Sequence, residues 1–490
     1  MKKIFVLLVL LGAMTSCTKL QDLNKNTKNP LNVTGESLFT GAQVNLFQQM
    51  VTPNVNYNIW RLITQQWTET TYTDESNYDL IDRTIPDDHW DWMYQYVLKD
   101  LDQAAINIKN TTYINDPGPA TKKNRLAVVE IMSVYSWSVL VETFGNVPYS
   151  QALNVNIRLP KYDDGLTIYK DLINRLDTAI SQMDPAYESL GIADNIYQGD
   201  VTSWLKFANS LKLRMGMLLA DVDPAFSQAT VESAASDPYG LISSNLENAR
   251  LIYQSAQPNT NPIYDELVAS GRHDFVPANT LVDTMNLLND PRMAFYFTQI
   301  DTSTTGTPQL AYVGGIYGAS NDFTQYSHVA DKMQVPTFEG LIFDYAETEF
   351  LLAEGVERGF NVGSGTAEDH YNNAVTASIT YWGGSLLDAQ AYLSDPRVAY
   401  STAPGEFKQK IGFQMWIALY NRGFEAWTEW RKFDYPVLVA PPRALSVIPV
   451  RFTYPIEEQS LNGANYSTAS AAIGGDLVST RLFWDLQKKK

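Results

Sequence analysis

Tyr345-Ala346-Glu347-Thr348-Glu349-Phe350-Leu351-Leu352-Ala353-Glu354 reads as helix, inside a longer helical run over 341–358. Ala346 and Ala353 stand one heptad apart, and small residues at that spacing let a neighbouring helix approach closely. Ordinary bundle packing would use them equally well. Working outward, the same helical patterning recurs. Residues 90–108 place Trp90, Met93, Val97, Leu101, Ala104 and Ile108 at steps of three and four. Residues 122–144 form a long apolar run that ends at Gly145, a natural C-cap, with Pro148 just beyond. Helices are also expected over 36–50, 165–183, 203–219, 366–382 and 406–430.

These helices come in pairs with short connections, the pattern of stacked tetratricopeptide-like hairpins, although no clean 34-residue period is present. Residues 222–340 differ. Pro258, Pro262, Gly271, Pro277, Pro291, Gly306, Pro308, Gly314, Gly315 and Gly318 crowd there, so loops are expected, with one short helix over 280–288. The tail from 437 to 490 reads as irregular. The expectation is a mainly helical, all-α single domain over 36–490. Its helical body would be 36–221 and 341–436, carrying a large loop-rich subregion at 222–340.

The N-terminus carries a different signal. Met1-Lys2-Lys3 precedes an apolar run from Ile4 to Leu11, then small residues and Cys17, the only cysteine among 490 residues. The run is far short of the about 20 residues a permanent span needs, so residues 1–16 read as a secretory signal. A lone thiol at the expected cleavage point has no disulfide partner. The arrangement resembles a bacterial lipobox, with Met14 where Leu is usual. Acylation of Cys17 with more than one chain would anchor the body stably to a membrane, with 17–35 as a polar linker.

Composition narrows the partners. A net charge of −18 excludes nucleic acid, which requires clustered Lys and Arg. Tyr and Trp, at 28 and 11, outnumber the 20 Phe, and amphipathic rings suit surfaces that stack on flat, polar ligands. Catalytic motifs are absent: the four histidines show no metal-ligand spacing, and there is no phosphate-binding loop or nucleophile elbow. Asp74-Glu75-Ser76-Asn77-Tyr78-Asp79 lacks the central glycine and terminal glutamate of a calcium loop, and reads as a solvated loop. No catalytic residue, metal or cofactor is assigned.

Five blocks, in order along the chain, carry a family resemblance. They are Glu142-Thr143-Phe144-Gly145-Asn146-Val147-Pro148-Tyr149; Trp204-Leu205-Lys206-Phe207-Ala208-Asn209-Ser210-Leu211-Lys212-Leu213-Arg214; the opening stretch; Gln414-Met415-Trp416-Ile417-Ala418-Leu419 with Glu425-Ala426-Trp427-Thr428-Glu429-Trp430-Arg431; and Ile448-Pro449-Val450-Arg451-Phe452-Thr453-Tyr454-Pro455 with Glu457, Glu458 and Asn462. Together they resemble the SusD/RagB family of outer-membrane nutrient-binding lipoproteins, in its SusD-like branch. Asn146 stands where that family often has Asp, and Lys432 where it often has Arg.

The resemblance implies four tetratricopeptide-like hairpins supporting a looped binding face, capture of a glycan or a peptide without catalysis, and an outer-membrane location facing the cell surface. It also implies a SusC-like TonB-dependent β-barrel transporter as partner, with the lipoprotein as its lid. A surface glycoside hydrolase and a structural scaffold are the rival readings. On physical grounds Arg214, Arg431 and Arg451 are expected as buried partners of helix carboxylates, and Trp204, Trp416 and Trp427 as core.

A ligand is expected on loops where aromatic rings alternate with amides and charges. Two segments qualify. One holds Trp67, Tyr72, Asn77, Tyr78, Arg83 and Trp90; the other runs over 259–326 with Tyr264, Arg272, His273, Asp274 and Tyr317. Trp67 and Tyr72 are the foremost candidates.

Overall fold

A computed structural model describes residues 33–113, 118–304 and 306–486, so the signal, Cys17 and most of the linker lie outside the described residues. The body is helical. In chain order its main helices are α1 (Gly35–Val51), α2 (Lys99–Asn110), α3 (Gly118–Phe144), α4 (Gly165–Gln182), α5 (Val201–Leu218), α6 (Pro224–Ala235), α7 (Asn279–Leu288), α8 (Tyr345–Glu357), α9 (Ala367–Trp382), α10 (Phe407–Ala418) and α11 (Gly423–Phe433). α3 packs on α4, α5 on α6, α8 on α9 and α10 on α11, while α1 lies against α2. The pairing expected from the sequence is the architecture observed.

Local chemistry sets the ends. Asp164 accepts the Thr167 backbone N–H at 2.9 Å to start α4, and Thr366 and Asp369 form a reciprocal capping box on α9. α3 stops at Gly145, whose φ of 86° lies in the left-handed region that glycine adopts without strain. Asn146 then accepts the Gly165 backbone N–H at 2.8 Å, tying the end of α3 to the start of α4. α3 is long and apolar enough to cross a membrane, but 83% of its most apolar window is buried within the fold.

Four expectations need correction. The run over 341–358 is helical only from Tyr345, because Gly340–Phe343 is a strand. The run over 406–430 is two helices, because Asn421 turns left-handed at φ 70° and Gly423 packs on Arg61, where a Cβ would come within 2.9 Å of the Arg61 backbone nitrogen. The run over 90–108 divides into Ile85–Asp91, a π-helical stretch Trp92–Leu98 and α2. Trp92 and Tyr94 on that stretch bond to the Asn45 and Pro148 carbonyls, at 2.8 and 2.6 Å. Finally, the regions read as irregular contain α6, and the tail forms Ile456–Leu461 and Gly463–Ala472.

The core is continuous, with Trp60, Trp67, Trp204, Trp416 and Trp427 all fully buried. Through it runs an ion network. Arg422 meets Asp344 at 3.1 Å and Glu347 at 2.6 Å, while Arg214 lies 3.6 Å from Glu347 and 3.7 Å from Glu425. Lys432 bridges Glu354 and Glu429 at 2.9 and 2.5 Å. Arg214 thus has its expected carboxylates. Arg431 does not: it donates to the Glu142 and Val450 carbonyls at 2.7 and 3.0 Å. Arg451 pairs with Asp476, which lies beyond the last helix rather than on one, at 2.5 Å.

Candidate ligand-binding face

The two loop segments meet as an antiparallel pair. β1 (Trp67–Glu69) lies against β3 (Phe275–Pro277), numbered after β2 (Ala249–Leu251), which pairs with β4 (Gly340–Phe343). The register sets Trp67 opposite Pro277, Thr68 opposite Val276 and Glu69 opposite Phe275. Beyond the strands, Thr70 donates its hydroxyl to the His273 carbonyl at 2.6 Å and its N–H to the Asp274 carbonyl at 2.9 Å. Asn321 clamps the other side, donating to the Glu69 carbonyl at 2.9 Å. Residues some 200 positions apart in sequence are thereby fixed as one surface.

Burial sorts the candidates. Trp67 is 1% exposed, and the crevice beside it has room for only about 10 Å³, so it has no face to offer a ligand. Tyr78 accepts from Gln65 at 3.0 Å within a small apolar cluster, and Tyr317 donates its hydroxyl to the Leu62 carbonyl at 2.6 Å. Asn77 spends its amide on the Thr73 and Gly318 carbonyls at 2.6 and 2.9 Å. Trp90 sits among the rings of Tyr94, Phe144, Tyr162 and Tyr454. These five are scaffold. Trp67 is buried by the strand pair resting on helices, Trp90 by the rings packed around its helix, and the others by the turn and loop packed beside them, a fact that turn-rich composition conceals.

The other five reach the surface. Tyr72 is 59% exposed at the tip of the loop after β1. Arg272 is paired with Asp274 at 2.5 Å, with Tyr72 in the neighbourhood of this ion pair. Tyr264 is half-buried on the turn Pro262–Tyr264. Arg83 is exposed and pairs with Glu75. A polar belt joins these groups: Arg83 reaches Asn56 at 3.4 Å, Asn56 donates to Asn54 at 2.9 Å, and Asn54 donates to Glu266 at 2.8 Å. Glu266 in turn feels the charges of Asp274 and Arg272.

Sequence reasoning missed a three-ring stack. The rings of His273 and His328 lie 4.2 and 3.8 Å from that of Phe323, nearly parallel to it, and so occupy its two faces. The histidines had looked scattered; their role is a flat buttress whose outer ring, His273, is exposed beside Arg272. Phe323 and His328 lie five positions apart, with a His328 ring nitrogen 2.9 Å from the Phe323 carbonyl, and His273 joins them from the segment before β3.

Beneath the face lies a buried acid pair. Glu69 accepts the Ser76 backbone N–H at 2.8 Å, and Ser76 Oγ accepts the Glu69 N–H at 3.2 Å. Burial, then a hydrogen bond from Glu75 and its charge, holds the Glu69 carboxyl well above the ordinary carboxylate range. The segment 74–79 is therefore not a solvated loop: Glu75, Ser76 and Asn77 form a buried 3₁₀ turn. Among the described residues, no three His, Cys, Asp or Glu side chains converge as metal ligands.

Comparison with known proteins gives three results. A family model described as "Starch-binding associating with outer membrane", SusD-like, matches residues 25–455. No curated protein sequence matches. Among solved structures, a chitin-binding protein is 25% identical, covers 93% of this chain and all of its own, and has a TM-score of 0.79. A SusD homologue from Bacteroides uniformis is 25% identical over 92% of this chain and 99% of its own, at 0.76. A chitin-binding SusD homologue from Flavobacterium johnsoniae shares the fold at 24% identity, 92% and 99% coverage, and 0.75.

Proposed function

The chain belongs to the SusD-like family of starch-binding proteins that associate with the outer membrane, and from that premise we propose that it is a non-catalytic glycan-capturing lipoprotein. It is anchored through acylated Cys17, faces the cell surface and delivers its ligand to a SusC-like TonB-dependent transporter. The ligand binds on the face of Tyr72, Tyr264, Arg272, Asp274 and Arg83, with His273 at its edge.

One observation carries this reading: an exposed aromatic ring on a loop that the strand pair sets beside planar, hydrogen-bonding groups. A ring covers the apolar face of a pyranose while amides, carboxylates and guanidinium groups bond to its hydroxyls. Likeness to a chitin-binding protein over nearly the whole chain adds support for a carbohydrate ligand.

Equilibrium binding and turnover on one panel of starch-, chitin- and xylan-derived oligosaccharides plus short peptides tests it. Saturable glycan binding with no product formed is the expected result. Binding of peptides alone would replace glycan by peptide; product release would make the protein a hydrolase.

A further inference from the structure

We propose a second carbohydrate site, independent of the Tyr72 face, in the cleft between the start of α10 and the end of α11. The cleft encloses about 650 Å³, within the range of roughly 300–1,000 Å³ typical of small-molecule sites. None of its lining residues belongs to 67–90 or 259–326.

Its apolar and aromatic floor is offered by the half-buried Trp430, Tyr435 and Leu438; Phe433 and Pro436, also in the lining, are buried. Trp430 donates its indole N–H to the Pro436 carbonyl at 3.0 Å, which fixes the half-buried ring in one orientation. Glu406 and Gln409 stand on one wall. Glu406 occupies the N-cap position of α10 but its side chain caps nothing, so the carboxylate remains available to the cleft. On the other wall stands Arg481.

Charge excludes an anionic ligand. Lys408 is engaged by Asp221 at 2.8 Å and Arg481 by Asp485 at 2.5 Å, so neither cation at the cleft stands unneutralised for an anionic ligand. An aromatic floor with uncompensated hydrogen-bonding groups fits a neutral polyhydroxylated ligand, a short oligosaccharide. The segment leaving the cleft also borders the first face: the Val439 carbonyl accepts from Gln65 at 2.8 Å, and the Leu445 N–H donates to the Asn77 carbonyl at 2.8 Å.

The test uses the full chain in detergent, labelled with 5-fluorotryptophan, with the Trp430 fluorine signal assigned through Trp430→Phe. Maltotriose, chitotriose, cellotriose and xylotriose are titrated into the wild type, Tyr72→Ala, and Glu406→Ala combined with Gln409→Ala. At least one trisaccharide is expected to shift the Trp430 signal saturably in wild type and in Tyr72→Ala alike. The double variant should bind it about tenfold more weakly or worse, through loss of hydrogen bonds from exposed side chains. A signal unmoved by all four sugars overturns the proposal. So does a shift lost in Tyr72→Ala, or one unaltered in the double variant. Failure of the Tyr72 reading shows separately, as unchanged binding elsewhere in that variant.

Discussion

Trp67 donates its indole N–H to the Tyr420 hydroxyl at 3.0 Å, joining β1 to the turn between α10 and α11. Tyr420 in turn stacks on Tyr296 at 4.2 Å, and the Arg61 guanidinium lies 5.3 Å from the Trp67 ring centroid. The proposed binding face is therefore bolted to the helical body through the residue that sequence alone puts foremost as a ligand contact.

Trp67→Ala should accordingly destabilise the protein by about 3–5 kcal/mol, as large core truncations do. Denaturant titration measures this. A melting temperature equal to wild type would mean the ring is not core.

Glu347→Ala should be comparably costly. It removes the carboxylate shared by Arg422 and Arg214, leaving buried guanidinium groups undercompensated, at about 3–5 kcal/mol. Equilibrium unfolding of the variant is the check; a change within error would show that Asp344 and Glu425 suffice.

Glu69 gives a pH signature. Its carboxyl pKa is raised in the folded state, so the fold binds that proton more tightly than the unfolded chain does. The contribution is fully present below the unfolded value of 4.5 and is lost as pH rises through the raised folded value. Wild type should therefore lose stability relative to Glu69→Gln from mildly acidic pH upward. Parallel stability profiles for the two proteins would contradict a protonated Glu69.

Cys17→Ala should abolish lipid attachment and release the protein from the membrane, since a single short apolar leader cannot hold it. Metabolic labelling with a fatty acid reads this out, and label on the variant would refute the anchor.

The helical body was legible because its signals are local: Gly145 ends α3, Asp164 caps α4, and the small residues of α8 sit on a packed face. The break at Asn421 was not, because Gly423 is required by Arg61, a contact 362 positions away in sequence. The site divides in the same way. Tyr72, Arg272 and Asp274, picked by composition, are exposed or half-buried, since loops carry such residues at the surface. Trp67, Tyr78, Trp90 and Tyr317 have the same composition and the opposite burial, which long-range packing decides: β1 on β3 for Trp67, and Phe144, Tyr162 and Tyr454 around Trp90. Likewise, long-range packing sets His273 against Phe323.

Calorimetric titration of the best-bound glycan into wild type and Tyr72→Ala tests the central claim most directly. Loss of a stacking ring at a hot spot costs about 2 kcal/mol, so affinity should fall about thirtyfold. The melting temperature should stay unchanged, because Tyr72 is 59% exposed. Equal affinity in the two proteins would contradict the placement of the ligand on this face.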